Sequence, residues 1–171
     1  ISLAKIVMPG GKVIGIDSAS KILSLAKKKV EEKPSLPIKW INKDLFDKSL
    51  NIKNYDGAVM AYGLRNLSDP LAGLKVIKSS LKSDGKAGVL DFSRFKKQSF
   101  NAWFQKKYLR NLVVPIATNF GLQKHYSYIE DSLVKFPDGD EQKDLAKEAG
   151  FSKVKYRKIA GGQMGILLLK N

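Results

Sequence analysis

Two polar side chains of chemical interest follow an apolar run near the middle of the chain. Residues 58–61 predict a buried strand of a parallel sheet, and the next five residues are Tyr-Gly-Leu-Arg-Asn, ending in Arg65 and Asn66. In open α/β sheets, ligands lie outside the carboxyl ends of the strands. A guanidinium there stays protonated and stabilises negative charge, whereas an amide both donates and accepts hydrogen bonds. The simpler alternative is a polar turn in which Arg65 forms a structural ion pair.

Acidic residues stand at the ends of two earlier predicted strands. Residues 12–17 predict a strand that ends at Asp17, and residues 38–42 predict another that is soon followed by Asp44. A carboxylate at such a strand end suits a ribose, whose vicinal hydroxyls offer two donors. Asp17 also precedes a predicted helix with Ser18 at its start, so capping is an alternative that is compatible with ribose binding. Asp44 has the alternative of capping a loop turn.

The composition limits the chemistry that the chain performs. Its 171 residues are enough for one domain with a full core, and 43% hydrophobic residues are typical of a globular protein. The sequence has no cysteine and one histidine, which argues against thiol chemistry and against a metal site, so we predict no metal. No apolar run is long enough to cross a bilayer. The net charge of +15 favours an anionic partner, either nucleic acid or an acidic membrane surface.

Predicted helices and strands account for most of the chain. After a helix end in residues 2–8, helices are predicted over residues 20–33, from Ser68-Asp69-Pro70 to residues 83–85, and over residues 138–149. Further strands are predicted over residues 87–93, 153–160 and 165–170, the last two around Gly161-Gly162. The faces predicted to be buried are Ile22, Leu23, Ala26 and Val30 in the helix over 20–33, and Leu71, Leu74, Ile77 and Leu81 in the next.

Taken together, these motifs resemble the ubiquinone/menaquinone C-methyltransferase family. The resemblance covers nearly the whole chain and rests on Gly15-Ile16-Asp17-Ser18, Lys43-Asp44-Leu45, Tyr62-Gly63-Leu64-Arg65-Asn66, Leu90-Asp91-Phe92-Ser93 and Gly150-Phe151. It implies an α/β fold of the class I methyltransferase type, with a Rossmann-like sheet, an antiparallel last strand and a helical lid insertion. It also implies S-adenosylmethionine (SAM) as methyl donor. Residues 161–167 and 119–137 are most similar to the cyanobacterial and plastid branch, which makes phylloquinone.

Individual residues are predicted to have separate roles. Arg65 stands where ring and methyl donor should meet, and because its guanidinium stays protonated we expect it to stabilise a ring oxyanion. Asn66 would orient the ring or a water, and His125 is the alternative base because histidine titrates near neutral pH. The residues expected to contact SAM are Asp17, Ser18, Asp44, Leu45 and Ala61, with Asp44 on the adenine amino group. The residues expected to contact the substrate are Tyr62 and Tyr126.

Two features of the chain bear on its domain organisation. The family carries an acidic, Gly-rich first strand and turn that wraps the methionine part of SAM, and no such element precedes Ile1. We therefore expect residues 1–171 to form a single domain that lacks its first strand and Gly-rich loop. Residues 94–136 combine aromatic and basic side chains, which favours a lid insertion, at about residues 94–137, that receives an apolar tail and contacts anionic lipid. The alternative is that these aromatics pack into an ordinary core.

The favoured function is SAM-dependent C-methylation of a prenylated naphthoquinol in phylloquinone or menaquinone biosynthesis. A benzoquinol of the ubiquinone pathway is the alternative substrate, and a non-catalytic basic remnant that binds membranes or RNA is the alternative of another class. Nucleic-acid methylation is disfavoured, because such enzymes tend to place an Asn/Asp-Pro-Pro-Tyr-like element where this chain has Tyr62 to Asn66. The expected location is the cytoplasm or a membrane periphery in a cyanobacterium or plastid. A homodimer is an open possibility.

Overall fold

The computed structural model describes residues 1–31, 36–94, 132–133 and 135–171. These residues form two compact units, Ile1–Asn51 and Ile52–Asn171. Each unit contains its own sheet.

The first unit is built on two parallel strands. Its elements are α1 (Ser2–Ile6), β1 (Val13–Asp17), α2 (Ser20–Glu31) and β2 (Ile38–Asn42). β1 and β2 pair in parallel with Gly15 opposite Trp40 and Asp17 opposite Asn42. A Cβ on Gly15 would overlap the Trp40 ring, so glycine is required there by close packing. The carboxyl ends of both strands consequently reach the same edge of this sheet.

Helix α2 buries a narrower face than its sequence predicts. Leu23 is 4% exposed, and Ala26 and Val30 are partly buried at helical spacing from it. The prediction that Ile22 belongs to this face was wrong, since Ile22 is 56% exposed. One residue along a helix is a rotation of about 100°, which carries Ile22 away from the line of Leu23, Ala26 and Val30.

The second unit contains a four-stranded mixed sheet. Its elements are β3 (Tyr55–Ala61), a 3₁₀ turn (Leu64–Asn66), α3 (Pro70–Ser80), β4 (Leu81–Phe92), α4 (Gly139–Glu148), β5 (Lys153–Ile159), a second 3₁₀ turn (Ala160–Gly162) and β6 (Met164–Lys170). The strand order is β3-β4-β6-β5. β3 and β4 are parallel, whereas β6 is antiparallel to both β4 and β5. The prediction of a mixed α/β sheet closed by an antiparallel pair is confirmed.

One face of this sheet carries the hydrophobic core. Ala87 and Val89 of β4 and Leu167 and Leu169 of β6 alternate with exposed or partly exposed neighbours, as expected for strands buried on one side. Helices α3 and α4 add Leu74, Ile77 and Ala146 to the same cluster, and Ala149, directly after α4, also belongs to it. Asp91 follows Ala87 and Val89 on this inward-facing series, so a charged side chain lies at the strand end of a buried face.

Helix α3 ends earlier than the sequence predicts. It begins as expected, with Asp69 accepting a 2.9 Å hydrogen bond from the Ala72 amide and Pro70 at the first turn. The prediction that it continues to residues 83–85 was wrong, because Leu81 has an extended backbone and begins β4 opposite Tyr55. Leu81 is only 6% exposed as the first residue of β4. The predicted burial of its side chain is therefore met, although its backbone is extended and not helical.

The predicted lid lies almost entirely outside the described residues. Of its aromatic residues, Phe136 is described, and it is 2% exposed within the core of the second unit. For Phe136, therefore, packing into an ordinary core is what the structure shows. The predicted domain organisation, with a missing first strand and a lid at about residues 94–137, stays a prediction. Within the described ranges, no helix is long and apolar enough to span a membrane.

Candidate functional site

A strained backbone begins the turn that follows β3. Tyr62 has a φ of 55°, a left-handed conformation that is uncommon for residues other than glycine. Its amide still donates to the Leu90 carbonyl at 2.8 Å, which holds it to the neighbouring strand. The 3₁₀ turn follows, and its first residue, Leu64, has a fully buried side chain. The chain thus turns immediately after β3 and places Arg65 and Asn66 at the carboxyl end of that strand.

Arg65 forms a buried ion pair with Asp91 at the end of β4. Its Nη1 donates to Asp91 Oδ1 at 2.7 Å, and the two side chains are 8% and 2% exposed. Asp91 also accepts from two backbone amides, that of Arg65 at 3.1 Å and that of Phe92 at 2.9 Å. One carboxylate therefore binds Arg65 at its main chain and at its guanidinium.

Aromatic rings flank the Arg65 guanidinium. Its Cζ lies 5.2 Å from the Phe92 ring centroid and 6.0 Å from the Tyr62 ring centroid, within range of cation–π attraction. The two rings lie 5.4 Å apart and are tilted by 44°, and the Tyr62 hydroxyl contacts Met164 Sδ at 3.1 Å. Arg65 Nε is buried and has no hydrogen-bond partner among the described residues. A buried donor without an acceptor is costly unless another group supplies one.

Asn66 is exposed and has a divided role. Its Nδ2 donates to the Tyr62 carbonyl at 3.0 Å, which closes the turn. Within the described part of the chain, its Oδ1 has no hydrogen-bond partner. The amide is thus fixed through its nitrogen, and its oxygen stays available as an acceptor on an exposed residue.

In the first unit, Asp17 lies at the end of β1 beside Asn42. Asp17 Oδ1 accepts from the Ala19 amide at 2.8 Å in a turn just before α2, and its other oxygen has no partner among the described residues. Asn42 Nδ2 donates to the Asp17 carbonyl at 2.9 Å and to the Ser18 carbonyl at 3.0 Å. This amide ties the end of β2 to the loop after β1, so the orientation of Asp17 is supported from the neighbouring strand.

Asp44 occupies the corresponding loop after β2. Its Oδ1 accepts from the Phe46 amide at 2.8 Å, which is the turn-capping role named as the alternative. Asp44 is exposed, Leu45 is partly buried, and the Phe46 ring is 37% exposed. The cap leaves the second carboxylate oxygen without a partner within the described ranges, so capping and ligand binding are compatible at this residue.

The structure brings the predicted site residues together in two groups. Ala61, Tyr62, Arg65 and Asn66 share the carboxyl end of β3, while Asp17, Ser18, Asp44 and Leu45 share the carboxyl edge of the β1–β2 sheet. Tyr126 and His125 lie outside the described residues.

Two contributors were missed by reasoning from the sequence. Asp91 was noted only within a motif. It follows Ala87 and Val89 at every second position of a strand, so it faces the core, and an acid in such a position requires a buried cation or hydrogen-bond donor as its partner. Asn42 was noted only as the end of a strand, although it pairs with Asp17 in register.

A partly buried tyrosine on β5 reaches the residue that follows β4. Tyr156 of β5 forms a 2.8 Å hydrogen bond with Ser93, and its ring packs against Gly139 and Gly165, where a Cβ would overlap it. Burial raises the pKa of the Tyr156 hydroxyl above its usual value near 10, with smaller upward contributions from Asp138 and Asp91, while the Ser93 hydrogen bond opposes the shift.

The arrangement of these strands is that of Rossmann-like SAM-dependent methyltransferases. The fold is similar to a SAM-dependent methyltransferase from Aquifex aeolicus, with a TM-score of 0.68 and 17% identity over 99% of this chain and 73% of that one. It is also similar to PigF solved with SAH, with a TM-score of 0.63 and 18% identity over 99% of this chain and 46% of that one. These likenesses confirm the predicted fold class.

The chain belongs to the ubiE/COQ5 methyltransferase family, whose model matches residues 1–168. It is 36% identical to the 2-phytyl-1,4-naphtoquinone methyltransferase of Trichormus variabilis over 170 residues, 99% of this chain and 74% of that protein. It is also 36% identical over 161 residues to the chloroplastic 2-phytyl-1,4-beta-naphthoquinone methyltransferase of Arabidopsis thaliana, covering 92% of this chain and 61% of that protein. The predicted family, enzyme class and methyl donor are confirmed.

The burial of Tyr156 predicts a high-pH titration. Burial disfavours the phenolate, so Tyr156 should ionise at a higher pH than a free tyrosine, whose pKa is about 10. The measurement is the near-ultraviolet absorbance of tyrosinate, taken as wild type minus Tyr156→Phe. In denaturant the same difference should titrate near 10. A native difference curve centred at or below that value would contradict the prediction.

Proposed function

We propose that this protein transfers the methyl group of SAM to a ring carbon of a prenylated naphthoquinol, in phylloquinone or menaquinone biosynthesis. The observation that carries the proposal is the 36% identity, over 99% of this chain, to a relative named for a phytyl-naphthoquinone. The composition of the site supports it, because the carboxyl edge of the larger sheet offers aromatic rings and a cation beside them. A prenylated benzoquinol is the alternative substrate.

The residues of the first unit fit the polar parts of SAM. Asp17 and Asp44 each use one carboxylate oxygen to cap a turn and keep the other for a ligand donor. Ribose hydroxyls suit Asp17, and the exocyclic adenine amine suits Asp44. The backbone beside Ser18 and Leu45 completes the proposed set in this unit. Ala61, at the end of β3 in the second unit, is proposed as a SAM contact on the family resemblance alone. When bound, SAM supplies a methyl group on a sulfonium, which leaves as a neutral thioether.

The ring must be activated before it accepts a methyl group. An aromatic carbon becomes a good nucleophile when a neighbouring ring hydroxyl loses its proton, because the oxyanion pushes electron density onto that carbon. The carbon–carbon bond then forms as the methyl–sulfur bond breaks. The ring carbon afterwards loses its own proton to solvent and aromaticity returns. The protein has to hold the ring in line with the methyl group and stabilise the oxyanion.

Arg65 and Asn66 suit the activation of the ring. The Arg65 side chain keeps one buried N–H without a partner, beside the rings of Tyr62 and Phe92. We assign to Arg65 the stabilisation of the ring oxyanion, and to Tyr62 contact with the ring. Asn66 presents a carbonyl oxygen that orients the second hydroxyl or a water taking the proton. Tyr126 is proposed as a further substrate contact. Arg65 is ion-paired with Asp91, so a purely structural Arg65 is the competing interpretation.

The proposal extends to contact with an anionic membrane surface. A prenylated substrate resides in lipid, and the net charge of +15 favours an acidic surface. In the second unit, Lys153 and Lys155 project from the edge strand β5 and are exposed. Such contacts are screened by salt. A peripheral location at a cyanobacterial or plastid membrane follows from this proposal. A homodimer is a separate, secondary proposal.

The substrate assignment is tested with paired quinols. The full-length protein should methylate a reduced prenyl-naphthoquinol in the presence of SAM, and mass spectrometry should find the added methyl group on the ring. A prenyl-benzoquinol with the same tail is the control and should react much more slowly. Preferential methylation of the benzoquinol would move the protein to the alternative pathway. Binding of RNA or acidic vesicles without methyl transfer to either quinol would favour the non-catalytic alternative.

The role of Asp17 is tested by substitutions that separate its two functions. Asp17→Ala should weaken SAM binding by about 1–3 kcal/mol, the usual cost of a lost hydrogen bond to a charged group. Asp17→Asn keeps an acceptor for the Ala19 amide, so it shows how much of that loss comes from the turn. Asp69→Asn, which changes the cap of α3, is the matched control and should leave the SAM dissociation constant unchanged. Unaltered calorimetric affinity in Asp17→Ala would remove Asp17 from the binding site.

The role of Arg65 is tested by turnover at saturating SAM. Arg65→Gln removes the cation, and losing one oxyanion donor typically lowers turnover by about 10²–10³. The SAM dissociation constant should stay near that of wild type. Arg157→Gln, which changes an exposed arginine on β5, should retain full turnover in detergent solution. Wild-type turnover in Arg65→Gln would exclude the proposed role, and His125→Ala would then be the variant that tests the alternative base.

A further inference from the structure

Asp91 is a buried carboxylate that the proposed chemistry does not use directly. It continues the core-facing series of β4 after Ala87 and Val89, and its side chain is 2% exposed. A charge in such a position is tolerated only when it is paired and hydrogen-bonded. Asp91 meets that condition with three donors, of which two belong to Arg65.

Two of these three bonds fix Arg65 at both ends of its side chain. Oδ2 accepts from the Arg65 amide, which sets the start of the side chain, and Oδ1 accepts from Nη1, which sets its head. An unrestrained arginine side chain samples many rotamers, and only a few of them place its donors at one point. Because Asp91 belongs to β4 and Arg65 follows β3, the same carboxylate also fixes the distance between two adjacent strand ends.

The Asp91 contact determines which Arg65 donors remain for a ligand. With Nη1 bound to Asp91, Nε is buried without a partner in the described part of the chain. The rings of Phe92 and Tyr62 flank the guanidinium. If the guanidinium rotated and broke the bond to Asp91, Nη1 would lose its acceptor and a different set of Arg65 nitrogens would be available to a ligand.

We propose that Asp91 is the positioning residue that orients Arg65 toward the ring oxygen of the substrate. The inference rests on the proposed function, in which Arg65 stabilises the oxyanion. Asp91 itself contacts no reacting atom in this scheme. It acts by holding a guanidinium within the small tolerance that transition-state stabilisation requires, since a displacement of about 1 Å can cost about 10² in rate.

Two substitutions separate position from charge. Asp91→Glu keeps the negative charge and adds one methylene, so the guanidinium is displaced while the ion pair persists. Asp91→Asn removes the charge and leaves Arg65 buried without its counter-ion. We expect both to lower kcat by about 10² with little change in the KM for SAM. Turnover is assayed below the melting temperature of each variant, which is recorded in parallel.

The matched control breaks an exposed ion pair of the same two strands. Asp56 at the start of β3 pairs with Lys82 of β4 at 2.6 Å, and these side chains are 88% and 46% exposed. Exposed pairs contribute little to stability. Asp56→Asn should therefore retain wild-type kcat. A loss of kcat in Asp56→Asn equal to that in Asp91→Glu would overturn the proposal, because the effect would not be specific to the Arg65 contact.

A double-mutant cycle tests whether Asp91 acts through Arg65. In the Arg65→Gln background, Asp91→Asn should change kcat by less than about threefold, since the group that it positions is gone. A merely structural Asp91 would lower the melting temperature but leave kcat unchanged in single variants that are still folded. An equal loss of kcat from Asp91→Asn in both backgrounds would also overturn the proposal.

A spectroscopic readout keeps the positioning separate from the catalytic role. In nitrogen NMR of the arginine side chains, the two Nη groups of Arg65 should be distinct in wild type and should become equivalent in Asp91→Asn. Identical Arg65 signals in both proteins would overturn the positioning even if Arg65 were essential. Changed signals together with wild-type turnover in Arg65→Gln would instead uphold the contact and refute the role of Arg65 in stabilising the oxyanion.

Discussion

The buried ion pair between Arg65 and Asp91 is the constraint on which the geometry of the larger sheet's carboxyl edge depends. Both side chains are more than nine-tenths buried, so neither charge is compensated by water. Removing one partner of such a pair typically costs about 3–5 kcal/mol, because the remaining charge stays in a medium of low polarity. The fold therefore requires both residues together, and the turn after β3 has to bring Arg65 to the end of β4.

The surrounding backbone is consistent with that requirement. Tyr62 adopts a left-handed conformation that a non-glycine residue rarely takes, and the Asn66 side chain holds its carbonyl. Leu64 anchors the turn in the core with no exposure to solvent. Local strain of this kind costs of order 1–3 kcal/mol and persists only where the surroundings enforce it. Here the enforcement comes from the Leu90 carbonyl, the buried leucine and the ion pair.

In the first unit, too, carboxylates are held in place by hydrogen bonds, but the donors are backbone amides and the side chains are not in buried ion pairs. Asp17 and Asp44 are held by short turns in which one carboxylate oxygen accepts a backbone amide. Asn42 adds two side-chain bonds between the ends of β1 and β2. Each acid is thereby held in one orientation by its own turn, and the turn that contains Asp17 is also tied to the neighbouring strand. In both residues the turn engages one carboxylate oxygen and leaves the other without a partner among the described residues.

The sequence by itself determined the family, the fold class and the strand ends that carry polar residues, because these follow from local motifs and from the periodicity of apolar side chains. It predicted the start of α3 correctly, because Asp69 and Pro70 are local signals, but it placed the end of the helix several residues too late. Leu81 is buried in either conformation, so its pairing with Tyr55 decided the outcome. Ile22 failed for a related reason, since the position of a helix relative to its sheet selects which apolar residues are covered. Only the tertiary structure revealed that Asp91 engages both the main chain and the guanidinium of Arg65, because contacts between residues 26 positions apart depend on the register of β3 and β4.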